Sequence, residues 1–189
     1  MPRLYLIRHG RPAAAWGGPE DDPGLDLEGR AQAQAACDQL MVLPQDLRPV
    51  RVISSPLRRC LETAGPTAEA LGASIEVEPR VGEIPMPAGL SQDERPGWLR
   101  QAFRGAWRDI PGDLDYERWR GGVADALVGL GGAAVFTHFV AINAVVSLLE
   151  VDARVLSFRP DHASVTVLET DGVRLTLVAK GAEAQTQVL

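Results

Sequence analysis

Short apolar runs that alternate with amphipathic segments predict an α/β fold. The predicted strands cover residues 3–8, 50–54, 74–78 and 133–137. One helix is predicted to begin near Leu27 after the N-cap Asp26, and a second to run from about Pro56 to Leu71. Because strands and helices alternate, we expect the strands to pair in parallel with helices on both faces. The pattern therefore predicts a three-layer sandwich around a mostly parallel central sheet.

The C-terminal part of the chain predicts a different kind of strand pairing. Residues 164–169 and 173–179 alternate apolar and polar side chains on either side of the dipeptide Asp171-Gly172. Such alternation around an Asp-Gly turn is typical of a β-hairpin. We therefore expect the sheet to close with a C-terminal antiparallel hairpin.

One segment, residues 81–119, interrupts the alternation of strands and helices. Its prolines and tryptophans are Pro85, Pro87, Pro96, Pro111, Trp98, Trp107 and Trp119. Because proline ends helices and strands, the segment is predicted to be a lid-like insertion over the active site, with packed tryptophans. After it, Gly121-Gly122 and residues 129–132 are expected to bracket a helix. The whole chain, residues 1–189, is predicted to form one domain.

Composition and charge narrow the classes of protein to consider. The chain has 189 residues and a net charge of −6, which is unfavourable for binding nucleic acid or an anionic membrane. No apolar run reaches the roughly 18 to 20 residues that cross a bilayer, and the N-terminus lacks the pattern of a signal peptide. The two cysteines, Cys37 and Cys60, are expected to be reduced. Together these features predict a cytoplasmic protein.

The residues at the ends of three predicted strands carry the candidate chemistry. They are Arg8 and His9 after the first strand, Ser54 and Ser55 after the second, and Thr137 and His138 after the fourth. The carboxyl ends of parallel strands meet at one edge of the sheet, and α/β proteins bind their ligands there. Two of the three histidines in the chain are therefore expected at one site, with arginines beside them.

A phosphate site is the chemistry that this edge favours. Ser55 is predicted to cap the second helix and Pro56 to be its first residue, so that free N–H groups point at the same edge. Arg58 and Arg59 follow, and helical periodicity does not choose between them as a phosphate ligand. Guanidinium groups bind phosphate in bidentate fashion, and they lower the pKa of a neighbouring imidazole. A neutral imidazole such as that of His9 can attack phosphorus and form a phosphohistidine.

Several motifs, in order along nearly the whole chain, resemble those of the histidine phosphatase superfamily, the phosphoglycerate-mutase-like fold. They are LIRHGRP at the first strand, DPGLDLEGRAQAQA over 22–35, SSPLRRCLETA over 54–64, FTHFVAIN at the fourth strand and RPDHASVTVLE before the hairpin. Glu83 stands where the family has its acid. The tripeptide RHG alone would be a weak signal, whereas the ordered set is specific.

The resemblance implies a role for each of five residues. His9 is the implied nucleophile, and Arg8 and Arg59 are implied to hold the phosphate. His138 is implied to donate a hydrogen bond to the phosphoryl oxygens, and Glu83 to give a proton to the leaving oxygen and then take one from water. No metal and no cofactor are implied, because arginines and histidines supply the positive charge.

The sequence leaves the proton donor open and assigns two other groups near the site no role in the chemistry. The family's usual G-x-W-E-G is missing after Glu83, so Asp93 or Glu94 is an alternative proton donor. His162 is expected to line a loop at the rim of the site and to stay outside the chemistry. The acidic run over residues 20–22 is expected to be a solvated loop.

Departures from the family pattern bear on the reaction. Phe139 replaces the glycine that usually follows the second histidine, which predicts a narrower or more apolar pocket. Arg11 and Pro12 replace residues common in mutases, which favours hydrolysis of a phosphomonoester, either a small metabolite or a phosphoprotein. The alternatives are a mutase-like phosphotransferase and a catalytically silent phosphate-binding protein. Candidates for reading substrate charge are Arg11, Arg95, Arg100 and Arg104.

Overall fold

One sheet organises the part of the chain that the structure describes. The computed structural model describes residues 1–14 and 22–184. The strands are β1 (Arg3–Arg8), β2 (Arg51–Ser54), β3 (Ile75–Val77), β4 (Ala133–Thr137), β5 (Val165–Thr170) and β6 (Leu175–Ala179). The α-helices are α1 (Leu27–Met41), α2 (Arg58–Leu71), α3 (Arg95–Ala102), α4 (Tyr116–Val128) and α5 (Phe139–Leu149), and short 3-10 turns lie at Pro79–Val81 and Trp107–Asp109.

The order of the strands brings three strand ends together. The order is β3-β2-β4-β1-β5-β6, and the first four strands are all parallel. β5 runs antiparallel to β1, and β6 runs antiparallel to β5, so the predicted C-terminal hairpin is confirmed. Every residue of β4 is buried, and β4 lies between β1 and β2. The carboxyl ends of β1, β2 and β4 therefore share one edge, as ligand-binding α/β sheets require.

Helices cover both faces of the sheet, which confirms the predicted three-layer sandwich. Successive side chains of a strand point to opposite faces, so Leu6 joins the larger core and Ile7 joins the smaller one. The larger core includes Leu127 of α4, and the smaller includes Leu40 of α1. In the described ranges we find no helix with the length and apolar character that crossing a membrane needs.

The segment 81–119 is part of the larger core. Val81, Trp98 and Trp107 are all buried in it. The indole N–H of Trp98 donates to the Pro111 carbonyl over 2.7 Å, and that of Trp107 donates to the Ser147 hydroxyl over 2.9 Å. The predicted packing role of the tryptophans is thus confirmed, and α5 anchors the segment.

Helix α2 begins later than the sequence predicts. Its first residue is Arg58, and its N-cap residue is Leu57, whose own side chain makes no capping hydrogen bond. The expected helix start at Pro56 with Ser55 as its cap is wrong. The Ser55 hydroxyl accepts the Leu57 N–H only at 3.4 Å, and its shorter contact, 2.7 Å, is to His138 on the neighbouring strand end. The expected free N–H of the first turn is also wrong, since the Arg58 N–H donates to the Asp22 carboxylate.

The glycine pair Gly121-Gly122 is expected from the sequence to flank a helix. In the structure it lies inside α4. The helix begins earlier because the Asp115 carboxylate accepts the Arg118 N–H at its N-terminus. Gly129 ends the helix, as predicted. Two internal glycines weaken a helix by about 1 kcal/mol each relative to alanine, so burial of the apolar face of α4 must offset that cost.

The C-terminus of α5 places a β-branched residue where the backbone is left-handed. The N–H of Asp152 donates to the Ser147 carbonyl, and the N–H of Val151 donates to the Leu148 carbonyl, which together form a Schellman motif. The motif needs a left-handed residue, and Val151 fills that position with φ 56°. Its side chain is 92% exposed, so no packing compensates for the strain.

Replacing Val151 with glycine should stabilise the protein. Glycine adopts the left-handed conformation without a Cβ clash, so Val151→Gly should raise the free energy of unfolding by about 1 kcal/mol and the Tm by about 2–4 °C. Thermal unfolding monitored by circular dichroism measures the shift. Val151→Ala is the control: it keeps the Cβ, so it should recover only part of the gain. An equal or lower Tm for the glycine variant would contradict this account.

Candidate active site

The structure brings the five predicted site residues together at the shared strand edge. His9 is 2% exposed and His138 is fully buried, and their ring centroids lie 5.4 Å apart. Arg59 Nη2 lies 3.3 Å from His138 Nδ1 and 3.6 Å from Glu83 Oε2. Arg8 is also buried. The cluster therefore joins the ends of β1 and β4, the first turn of α2 and the loop after Val81.

His9 is held as a neutral imidazole with one free ring nitrogen. Its backbone N–H donates to the Thr137 carbonyl over 2.9 Å, which continues the β1–β4 pairing. Its Nδ1 lies 2.8 Å from the Gly10 carbonyl. A carbonyl oxygen only accepts, so we assign the proton to Nδ1 and leave the Nε2 lone pair free. Burial, and then the nearby His138 and Arg59, lower the pKa of His9 well below its ordinary value.

Gly10 fixes the loop that carries His9. A Cβ at this position would lie 2.5 Å from the Gly29 carbonyl oxygen, so only glycine allows the loop to pass over α1. The Gly10 N–H donates to the Thr63 hydroxyl over 3.0 Å, and that hydroxyl donates to the Arg59 carbonyl. The loop after β1 is therefore joined to the helix that carries Arg59.

The two adjacent arginines of α2 point in different directions. Arg59 is buried in the cluster, as the family motif implies. Arg58 is exposed, and its Nε donates to Glu62 Oε1 over 2.8 Å along the helix. Residues three to four apart share a helix face, so the Arg58–Glu62 pair lies away from the buried face that Arg59 completes.

Glu83 is the carboxylate that the fold brings to the cluster. Its side chain is 6% exposed, with Oε2 3.5 Å from His138 Nδ1. Its Oε1 accepts the Ile84 N–H over 3.0 Å, which orients the carboxylate from the loop itself. The alternative donors lie elsewhere: Asp93 is exposed, and Glu94 is exposed and accepts both the N–H and the hydroxyl of Ser91.

Three buried polar atoms of the cluster make no hydrogen bond to any described residue. They are Arg8 Nε, Arg59 Nε and Glu83 Oε2. Buried polar groups in folded proteins are almost always paired, so two unpaired donors and one unpaired acceptor at one place indicate a binding site. The donors suit an anion rich in oxygen atoms. Within the described ranges, no group of histidine, cysteine and carboxylate side chains could hold a metal ion.

Arg8 is oriented by groups that the sequence reading did not assign to it. Its Nη1 donates to the Pro160 carbonyl over 2.9 Å, and its Nη2 donates to His162 Nε2 over 3.0 Å. Its guanidinium carbon lies 5.2 Å from the centroid of the Phe139 ring. Phe139 is itself buried and packs against Phe103, so its ring is held in place against the Arg8 guanidinium. The chain's departure from the family's glycine thus contributes a cation–π contact.

His162 lies at the rim of the site, as expected, and the structure adds that it contacts Arg8 there. It precedes β5, which runs antiparallel to β1, so the start of β5 must lie beside the end of β1. The topology was therefore the signal that could have located it. Its ring centroid lies 5.9 Å from that of His9. Burial, with the Arg8 charge next, lowers the pKa of His162 to about 4.

Asp22 lies in a loop with its side chain 41% exposed, as expected of a solvated loop, but it also contacts helix α2. Its carboxylate accepts the Arg58 N–H at the start of α2, and Oδ1 lies 3.7 Å from Arg59 Nη1. A carboxylate at a helix N-terminus is stabilised by the helix dipole. The preceding residues of the acidic run, Glu20 and Asp21, lie outside the described residues.

The four arginines predicted to bind charged groups of a substrate differ in their surroundings. Arg11 forms ion pairs with Asp26 and Glu28. Arg95 is partly buried, and its Nη2 lies 3.4 Å from the Ile84 carbonyl. The remaining two candidates, Arg100 and Arg104, are exposed. Of these four arginines, Arg95 is the one whose positive charge lowers the pKa of His138.

Comparison with known proteins agrees with this geometry. The family model of the histidine phosphatase superfamily (branch 1) matches residues 4–182. The chain belongs to this superfamily. A probable phosphoglycerate mutase of Escherichia fergusonii is 31% identical over 118 residues, which cover 56% of this chain and 51% of that protein. The 55 kDa subunit of transcription factor tau from Saccharomyces cerevisiae is 34% identical over 105 residues, 46% of this chain and 23% of that protein. The matches thus span about half or less of these relatives.

Solved structures of phosphatases share the fold. A mycobacterial glucosyl-3-phosphoglycerate phosphatase superposes with a TM-score of 0.73 at 23% identity, covering 97% of this chain and 100% of that chain. A phosphoserine phosphatase from Entamoeba histolytica, solved with 3-phosphoglyceric acid, gives a TM-score of 0.74 at 21% identity and covers 98% of both chains. The resemblance inferred from the motifs and the α/β fold are thereby confirmed.

The neutral histidines should make the protein sensitive to mild acid. Their pKa values are lower in the folded protein than the ordinary value of 6.5. Below pH 6.5 the unfolded chain therefore binds protons that the folded chain does not, and stability falls as the pH falls. Each histidine contributes at most about 1.4 kcal/mol per pH unit. Urea unfolding at pH 7, 6 and 5 measures the slope.

The variant His162→Gln provides the control for this slope. Its amide oxygen can still accept from Arg8, but the side chain cannot titrate. Between pH 6.5 and 5 the free energy of unfolding should fall less for the variant than for the native chain. The two slopes should differ by at most about 1.4 kcal/mol per pH unit, the contribution of one proton. Identical slopes for the two proteins would mean that the pKa of His162 is the same in the folded and unfolded states, contrary to its burial beside Arg8.

Proposed function

We propose that this protein is a metal-independent phosphomonoester hydrolase that acts through a phosphohistidine at His9. The observation that carries the proposal is the free Nε2 of a neutral His9 inside a cluster of buried arginines, with a buried carboxylate beside it. Arginine charge near a neutral nucleophile is what transfer of an anionic phosphoryl group requires. The roles that follow are those implied for His9, Arg8, Arg59, His138 and Glu83.

The proposed first step transfers the phosphoryl group to the protein. His9 Nε2 attacks phosphorus as the bond to the ester oxygen breaks, and the departing oxygen takes a proton from the carboxylic acid of Glu83. Arg8 and Arg59 hold the phosphoryl oxygens and offset their charge. In the second step Glu83, now a carboxylate, takes a proton from water. The water oxygen attacks phosphorus, the nitrogen–phosphorus bond breaks, and free phosphate and neutral His9 result.

The proposed substrate is a small phosphorylated metabolite. The structural neighbours named as phosphatases act, by their names, on glucosyl-3-phosphoglycerate and phosphoserine, which supports this class. A phosphoprotein is the second substrate class to test. The relative described as a probable phosphoglycerate mutase supports a phosphotransferase as the alternative reaction. The position of Glu83, buried between Arg59 and His138, favours an active enzyme over a silent phosphate binder.

Phosphate release should depend on His9 and not on divalent metal. On a panel of phosphomonoesters with a chelator present, the native chain should turn over, and His9→Ala should lose at least about a thousandfold in kcat/KM. Stimulation of isomerisation by a bisphosphorylated primer would instead support the phosphotransferase. Turnover that the chelator abolishes, or that survives in His9→Ala, would exclude the proposed mechanism.

Arg59 and Arg58 provide a matched pair of variants that tests which of the two arginines binds phosphate. Arg59→Ala removes a buried guanidinium from the cluster and should weaken inhibition by inorganic phosphate about a hundredfold, since charge-assisted pairs carry most of such binding. Arg58→Ala removes an exposed one that pairs with Glu62, and it should change the inhibition constant by no more than about twofold. Equal effects of the two substitutions would contradict the assignment of Arg59.

A further inference from the structure

Asp22 is a carboxylate at the edge of the candidate active site, and the proposed reaction gives it no role. Its side chain is partly exposed, and its two oxygens accept the Arg58 N–H at the start of α2, at 2.9 Å and 3.0 Å. Its Oδ1 also lies 3.7 Å from Arg59 Nη1. The same carboxylate therefore caps the helix and lies beside a guanidinium that is proposed to hold phosphate.

The two buried arginines of the site differ in the charges that surround them. Arg8 donates its side-chain hydrogen bonds to uncharged groups, and it forms no ion pair with any described residue. Arg59 lies between two carboxylates: its Nη2 is 3.6 Å from Glu83 Oε2, and its Nη1 is 3.7 Å from Asp22 Oδ1. The charge of Arg59 is thus offset at both terminal nitrogens, whereas that of Arg8 is not.

The residues that follow Asp22 hold its loop against α2. The Leu25 N–H donates to Glu62 Oε2 over 2.7 Å, and the Ala13 N–H donates to the Gly24 carbonyl over 2.8 Å. A Cβ at Gly24 would lie 2.6 Å from Glu62 Oε1, so the loop and the helix are in close contact. These contacts do not involve the charge of Asp22, so the loop should keep its place when that charge is removed.

A carboxylate in this position opposes the binding of phosphate. The guanidinium of Arg59 attracts both Asp22 and a phosphate anion, and the two anions repel each other. Because Asp22 is partly exposed, this repulsion acts through a high effective dielectric and is weak but measurable. The cap has the same effect, since a helix N-terminus otherwise favours an anion. Both contacts of Asp22 therefore lower the affinity of the site for phosphate.

We infer that Asp22 sets the strength of phosphate binding: its carboxylate offsets part of the Arg59 charge, so that phosphate is held less tightly and the product leaves more readily. The inference rests on the phosphate site of the proposed function, but not on turnover. A carboxylate that only oriented Arg59 would act in the opposite sense, because its loss would then weaken phosphate binding. The sign of the change in affinity therefore decides between the two roles.

Two aspartate variants make the same chemical change at two different helix N-termini. Asp22→Asn removes the charge and keeps the cap, since an amide oxygen can still accept the Arg58 N–H. Asp115 supplies the matched control: it is exposed, its carboxylate accepts the Arg118 N–H at the start of α4 over 2.9 Å, and it forms no ion pair with any residue that the structure describes. Thermal unfolding of Asp22→Asn and Asp115→Asn establishes that each variant is folded.

The decisive measurement is the dissociation constant of inorganic phosphate, obtained by isothermal titration calorimetry at low and at high salt. At about 0.02 M salt, Asp22→Asn should bind phosphate about threefold more tightly than the native chain, and Asp115→Asn should bind it as the native chain does. At about 0.5 M salt the gain should nearly vanish, because salt screens the charge of an exposed carboxylate. Equal or weaker binding by Asp22→Asn, or a gain that does not change with salt, would overturn the inference.

Turnover measurements then separate this inference from the proposed function. Product phosphate should inhibit hydrolysis by Asp22→Asn about threefold more strongly than hydrolysis by the native chain. A native chain that binds phosphate but hydrolyses no ester would refute the proposed function, and the calorimetric comparison would still test Asp22. A native chain that hydrolyses esters, combined with equal phosphate affinity in Asp22→Asn, would refute the role of Asp22 alone. Absence of phosphate binding in both proteins would refute both.

Discussion

Burial of two arginine side chains at the end of a parallel sheet is the constraint on which the rest of the site depends. Arg8 and Arg59 are both largely removed from water, and desolvation lowers the pKa of Arg8 to about 10. A guanidinium leaves water only at a cost that hydrogen bonds and opposite charge must offset. The Pro160 carbonyl, the Phe139 ring and the Glu83 carboxylate supply part of that compensation. Among the described residues Arg8 Nε and Arg59 Nε have no hydrogen-bond partner, so the compensation is incomplete, as the proposed anion site requires.

The same burial has the opposite consequence for the histidines. An arginine keeps its charge at neutral pH even when buried, because its ordinary pKa is so high. An imidazole responds by losing its proton, and His9 and His138 are both neutral in this environment. The site thus separates its tasks: fixed positive charge comes from the arginines, and nitrogen lone pairs and single N–H donors come from the imidazoles.

Features that depend on local sequence could be predicted, and features that depend on distant partners could not. The strands follow from apolar runs. The Asp26 cap of α1 follows from the preference of an aspartate side chain for the backbone N–H groups of the first helical turn. Ser55 has the same local preference, but its partner His138 is 83 residues away on another strand. His162 and Arg8 are 154 residues apart, and only the antiparallel pairing of β5 with β1 brings them together. The sequence contains such partners, but tertiary pairing decides which contact is made.

The close approach of the loop after β1 to helix α1 constrains how this protein can diverge. A Cβ at Gly10 would lie 2.5 Å from the carbonyl oxygen of Gly29, and a Cβ at Gly29 would lie 2.1 Å from that of Arg11. Neither glycine can be replaced first, because Gly10 leaves room for the backbone of α1 and Gly29 leaves room for the backbone of the loop. Side chains around the mouth of the site can change independently of one another in descendants of this chain. The two glycines that set the distance between the loop carrying His9 and helix α1 must be inherited together.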